Sequence, residues 1–345
     1  MKKINFPGNR KGRCFLIVLM LVFICSPLFA QRKITVRLAS LVPENTAWGS
    51  AINRLAAEWS RITNGEVEVI VFHNGTAGGE QEVLRKLRMD QIQAAVLTSL
   101  GMSSMAPQVM TLSYPFLIRN DTELNTVMNV VKPELDVLMQ QSGYVTLAWA
   151  NAGWVNIFSK TPVFVPADLR RMRLGSAGTN EQFDQAFKSM GFNIVQVPLP
   201  EVLMGLNSNR IDSTYLSPIY AAGNQVFGIA KNMMSINVAP FMGGIVINNT
   251  TWRRIPERYR NQLLAVCRQL ERNIVSSTAS LEADAISAMT RYGLVINELN
   301  SQQVQEWYNE IARYENNLIG GANPLFDRAY YQRIKTILDE YRRGR

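Results

Sequence analysis

The groups in this sequence with chemistry to offer are few: scattered carboxylates, one imidazole, one thiol outside the amino-terminal segment, and a short arginine run. A hydrolase would need a pair of carboxylates for acid and base work, and Glu80 with Asp90 or Asp212 is the pairing on offer. Cys267 sits in an apolar helical stripe with no histidine near it in sequence, the setting of a packed thiol rather than a nucleophile. His73, the one histidine of the chain, precedes an Asn74-Gly75 turn and has no partner histidine or clear nucleophile to activate, so it reads as a solvated turn residue. One histidine and three cysteines fall short of most zinc sites, and with Cys14 and Cys25 near the amino terminus, Cys267 has no internal disulfide partner. No metal and no cofactor is expected.

Three further clusters could bind rather than react. Gly75-Thr76-Ala77-Gly78-Gly79-Glu80 lies between a strand and a helix, where phosphate cradles occur, but it lacks the spacing of either common phosphate loop. A carboxylate at the helix start would also repel phosphate while suiting the positive end of the helix dipole. Arg170, Arg171 and Arg173 could clamp a carboxylate or form a solvated strand edge. Trp48, Trp154, Tyr215 and the run Ala239-Pro240-Phe241-Met242 fall at strand ends or in the loops after them, where α/β proteins hold ligands, and together they favour an apolar pocket.

The frame around these residues is globular. Of 345 residues, 47% are hydrophobic and 18% charged, which argues against disorder, and the length suits two domains or one large one. The formal charge of +9 is concentrated at one end: setting aside Lys2, Lys3, Arg10, Lys11 and Arg13 leaves 31 basic against 27 acidic residues. That balance supports neither nucleic acid nor anionic lipid as a partner. Residues 1–30 have a basic start, an apolar run from Phe15 to Cys25, and Ser26-Pro27-Leu28-Phe29-Ala30, the anatomy of an export signal. Cleavage after Ala30 is the preferred reading; lipidation at Cys25 and retention as a tether are the alternatives. The mature chain is expected to be exported.

Past Gln31, strand-like and helix-like segments alternate, which predicts α/β layers. Strands are expected at Ile34–Leu38, Val67–Phe72, Ala94–Leu97, Val145–Ala150, Met172–Leu174, Ile194–Val197 and Ile211–Tyr215. Helices are expected from Trp48 to Ile62, Glu80 to Met89, Asp121 to Gln141 and Asn180 to Met190, with a short one after Pro200 and two near Gln303–Ile319 and Pro324–Tyr341. Pro256 to Gly293 has no internal proline or glycine, and Leu263, Cys267, Leu270, Ile274, Ser277, Leu281, Ala285 and Ala288 trace one face. At 1.5 Å per residue such a helix reaches roughly 50 Å and would span two lobes.

Five motifs in order resemble the extracytoplasmic solute-binding proteins of TRAP transporters, of the dicarboxylate-binding P-subunit type. They are Leu41-Val42-Pro43-Glu44-Asn45-Thr46-Ala47-Trp48, Gly78-Gly79-Glu80, Tyr114-Pro115-Phe116-Leu117, Pro166-Ala167-Asp168-Leu169-Arg170, and Pro198 to Asp212 with its Arg210-Ile211-Asp212. The resemblance implies a two-lobed periplasmic binding protein fold of class α/β, with crossing strands and a long lobe-spanning helix. Residues 31–153 plus about 243–280 would form lobe I, and 154–242 plus about 281–345 lobe II with the carboxy-terminal helices. It implies a receptor without catalysis that hands its ligand to TRAP membrane permease subunits, and in some relatives works beside a tetratricopeptide-repeat protein.

It also implies where arginines should stand. The slot for a ligand-holding arginine after the Asp-Leu-Lys-like motif falls on Gly175, a second falls on Val155, and a polar position falls on Leu216 or Ser217. Arg173 lies two residues from the vacant slot, about 6.6 Å along the same strand face, and could reach in. The expected ligand is therefore less acidic and more apolar than a dicarboxylate. The expected ligand contacts are Asn45, Trp48, Glu80 and Ser99 from one lobe, Trp154, Arg173, Gly175, Tyr215, Leu216 and Ser217 from the other, and Phe241 and Met242 near the hinge. The competing readings are the hydrolase and an envelope interaction protein with a vestigial cleft, using Arg253-Arg254 or the carboxy-terminal helices.

Overall fold

Alternation of Ile34, Val36 and Leu38 puts three aliphatic side chains on one face of the first strand, β1 (Ile34–Ala39), and all three are buried. The computed structural model describes residues 33–176, 181–320 and 324–344. The export segment, with its cleavage, lipidation and tether alternatives, lies outside the described residues, as does Asn180. Nine more strands follow among the described residues: β2 (Val67–Phe72), β3 (Ala94–Thr98), β4 (Tyr144–Ser159), β5 (Arg173–Ser176), β6 (Asn193–Gln196), β7 (Ser213–Leu216), β8 (Asn232–Met234), β9 (Ala239–Asn248) and β10 (Val295–Asn297). They form a mixed sheet in the order β2-β1-β3-β9-β4-β7-β5-β6, with β8 on β4 and β10 on β8.

Each end of this order is parallel: β1 with β2 and β3, β5 with β6 and β7. The centre is antiparallel and is made by β4 and β9, which pass from one half to the other. β4 runs for 16 residues, well past the Val145–Ala150 stretch that alternation marks. The two strands lose register between Asn151 and Trp154, where Gly153 has φ +93°. A side chain at 153 would strike the Glu282 carboxylate, so the position needs glycine for both conformation and space.

Between Tyr144 and Val155 the edge of β4 away from β9 has no strand partner among the described residues. The helix Glu257–Arg291, 35 residues long, covers it. Glu271 Oε2 accepts the Trp149 N–H at 3.2 Å, Thr278 Oγ1 donates to the Asn151 carbonyl at 2.9 Å, and Glu282 Oε1 accepts the Trp154 N–H at 2.7 Å. This explains why the buried stripe runs Leu263, Cys267, Leu270, Ile274 and then Thr278 rather than the expected Ser277. Cys267 is fully buried beside this core, and burial pushes its thiol up to about 12.

The helix Asp121–Gln141 has the bounds expected of it and is capped by Asn120, whose side chain accepts from the Glu123 N–H. The carboxy-terminal helices clamp onto it: Arg342 holds the buried Glu123 through two bonds of 2.9 and 2.8 Å. The single helix expected near Gln303–Ile319 is two, Ser301–Arg313 and Glu315–Ile319, broken at Tyr314.

Candidate ligand-binding cleft

Three spaces open side by side along the carboxy-terminal ends of the parallel strands, and Thr98 and Phe241 line all three. The first lies between Pro43, Thr46 and Trp48 on one wall and Ser217, Ile219 and Tyr220 on the other, over Met242. The central and smallest one is bounded by Glu80, Gly175, Leu199, Thr214 and Tyr215. The third is lined by Phe183, Phe187, Phe192, Trp307, Val155 and Ile157, with Ser99 also in its lining. Phe183 stacks on Phe187 at 4.4 Å and leans on Tyr215 at 5.2 Å, giving this wall a continuous aromatic surface.

Among the described residues lining these spaces, Glu80 carries the one carboxylate, and no lysine or arginine is present. Glu80 opens the helix Glu80–Arg88 and is buried. Its Oε1 accepts the Thr98 N–H at 2.5 Å and its Oε2 the Thr98 hydroxyl at 2.8 Å. Both oxygens thus brace the end of β3. The other polar groups are uncharged: Ser99 and Ser113 share a bond of 2.9 Å, Ser217 caps the helix Pro218–Gly223 by accepting the Tyr220 N–H, and the Asn224 amide donates to the Tyr220 carbonyl at 3.0 Å. Tyr220 donates to the Leu199 carbonyl at 3.4 Å, and burial pushes its phenol above the usual range.

Of the expected contacts, Trp48, Glu80, Ser99, Gly175, Tyr215, Ser217, Phe241 and Met242 line the spaces. Four do not. Asn45 is exposed and its neighbour Thr46 faces in, while Leu216 turns into the core because strand neighbours point to opposite faces. Trp154 is buried behind β4, its indole N–H donating to Asp121 Oδ1 at 3.1 Å. Arg173 is neither a clamp nor a reach toward position 175: its guanidinium makes a fork with Asp212, at 2.7 Å on both arms, and lies half-exposed.

The same pair removes Asp212 from any acid–base partnership with Glu80. Asp90, at a turn with φ +54°, is instead held by Asn248 at 2.9 Å. His73 is buried rather than solvated, its Nε2 2.8 Å from Asn53 Oδ1. A Cβ at 175 would stand 2.6 Å from Ile211 Cδ1, so any larger residue there requires that terminal methyl to shift.

The model of the bacterial extracellular solute-binding proteins of family 7 (DctP) matches residues 38–318. This chain belongs to that family. It is similar to the 2,3-diketo-L-gulonate-binding periplasmic protein YiaO of Escherichia coli K12, 24% identical over 69% of this chain and 73% of that one. It is similar also to the C4-dicarboxylate-binding protein DctB of Bacillus subtilis 168, 24% identical over 81% of each. Its fold matches the TRAP periplasmic solute-binding protein of Sulfurospirillum deleyianum with bound succinate, at a TM-score of 0.79 and 20% identity over 88% of this chain and 98% of that one.

The family 7 chain therefore has the two-lobed TRAP receptor fold, with Glu257–Arg291 as its long helix. The family is extracellular by description, and no described helix is long and apolar enough to cross a membrane. What sequence reasoning missed is the third space, because Phe183, Phe187 and Phe192 read as the core stripe of a helix and its following strand. The one signal for it was the aromatic density of that segment.

Proposed function

We propose that this receptor captures an apolar or amphipathic small molecule in the joined spaces around Phe241 and delivers it to TRAP membrane permease subunits without chemical turnover. The observation that carries the reading is the absence of any cationic side chain among the described residues lining the cleft, combined with aromatic walls on both sides. An isolated carboxylate ligand there would lose its hydration with no guanidinium or ammonium in return, a cost of several kcal/mol. Val155 and Gly175, the two places where the resemblance puts arginines, both line the cleft. At 175 a larger side chain would have to displace the Ile211 terminal methyl.

The relatives named above bind acids, so this reading separates the chain from them by its lining alone. In the same reading residues 31–153 with about 243–280 form lobe I and the remainder lobe II, the amino terminus serves export to the periplasm, and Ser99, Thr98 and Ser217 orient a polar end of the ligand. A tetratricopeptide-repeat partner is a further element of the proposal. Native mass spectrometry of the purified protein tests the reading. A retained neutral or long-chain molecule is the expected result; tight, salt-sensitive binding of C4-dicarboxylates or sugar acids would overturn it.

A further inference from the structure

The glycine run before Glu80 and the Pro198-Leu199-Pro200 segment face each other across the mouth of the cleft. A Cβ added at Gly75 would lie 2.7 Å from Pro200 Cγ, and one at Gly79 would lie 3.3 Å from Pro198 Cβ. Gly75 has φ +67°, so its conformation also favours glycine. Gly79 is different: its φ of −67° and ψ of 171° suit any residue, and as the cap of the helix Glu80–Arg88 it supplies no side-chain bond. Serine, asparagine or aspartate would serve that cap better. The space opposite, occupied by Pro198, accounts for a glycine there. A second touch lies nearby, where a Cβ on Gly223 would stand 3.5 Å from Thr46 Cγ2.

We propose that the contact of Gly75 and Gly79 with Pro198 and Pro200 is a latch that holds the cleft shut, so that these lips, and not ligand contacts alone, set how long the ligand stays. The proposal rests on the receptor reading above. Proline suits the part because its ring is rigid and brings Leu199, which lines both the first and the central space, to a fixed position over the ligand. Glycine suits the other lip because bare backbone lets the ring seat closely. The contact is between apolar atoms, so its strength should be little affected by salt.

The separation of the two Cβ positions at 79 and 198 is close to the roughly 3.8 Å that a disulfide spans. The purified protein carrying Gly79→Cys and Pro198→Cys can therefore be stapled, with Cys267 too buried to compete. Oxidised protein should exchange the apolar dye Nile red at least a hundredfold more slowly than reduced protein, and its radius of gyration should stay small without ligand while the reduced form expands. Failure of the bond to form, or equal dye exchange in both states, would overturn the latch. If the reduced protein binds no dye yet expands where the oxidised one does not, the latch stands and the apolar-ligand reading falls. Separately, Gly79→Val should speed release of bound dye about tenfold with unchanged thermal unfolding; unchanged release counts against the latch.

Discussion

Strand β4 meets opposite chemistry on its two sides. Toward the cleft it offers Val155 and Ile157 to a space walled by phenylalanines and Trp307. On its other side Trp149, Asn151 and Trp154 are held by Glu271, Thr278, Glu282, Asp121 and Asp136, the last accepting the Trp149 indole N–H at 2.8 Å. In the proposed reading the ionisable groups around β4 serve mechanical attachment, while recognition falls to apolar surface and uncharged polar groups. On that proposal an acid-binding cleft and an apolar one share one frame, because the carboxylates that hold β4 from behind, Glu271, Glu282, Asp121 and Asp136, do not line the cleft.

The strongest way to break that division is to put a charge on the cleft side. Val155→Asp should weaken Nile red binding roughly a hundredfold, since the carboxylate would have to be desolvated against aromatic walls. A loss under threefold in a fluorescence titration would remove the third space from the site. Glu80→Gln comes next. An amide cannot accept both Thr98 donors, and the orphaned group should cost about 2 kcal/mol in urea unfolding. Unchanged stability would mean that Glu80 is there for the ligand rather than for β3.

Glu282 sharpens the other side of the comparison. Burial, opposed by the Trp154 N–H and reinforced by Asp121, pushes its carboxyl up to about 7. The folded protein then binds this proton more tightly than the unfolded chain. Its stabilising contribution is full below the ordinary carboxylate range and is lost as pH rises toward about 7. Glu282→Gln should flatten this loss, on the order of 1–2 kcal/mol between about pH 5 and 8 for a partly solvated group. Identical pH profiles of wild type and variant in chemical denaturation would refute the assignment. The smallest effect belongs to Arg173→Ala: little or no change in stability, because the pair with Asp212 is half in solvent, and no change in dye affinity. A marked affinity loss would restore Arg173 to the site.

The legible parts of the fold were those with a local period. β2 and the helix Asp121–Gln141 appear with the bounds their spacing predicts, and the long helix begins and ends within a residue or two of its Pro256 and Gly293 markers. β9 was illegible because Pro240, Gly243 and Gly244 read as breakers, and because its partners β3 and β4 lie far away in sequence. The second half of β4 was hidden by Gly153, which marks a register change rather than a strand end. In the site, single-residue errors came from facing: Thr46 for Asn45, and Tyr215 and Ser217 for Leu216. Trp154 was misplaced for a different reason. The local sequence carries no sign that Asp121 and Glu282, from distant helices, would claim both of its N–H groups.

The covering of β4 by the long helix has a consequence for life at high concentration. An uncovered strand edge is a template onto which another chain can add a strand. Here that edge belongs to a strand at the centre of the sheet order. By occupying alternate backbone groups there, Glu271, Thr278 and Glu282 leave incoming chains little to pair with. The helix that joins the lobes thus also guards against self-association, and loosening its three bonds would show first as aggregation.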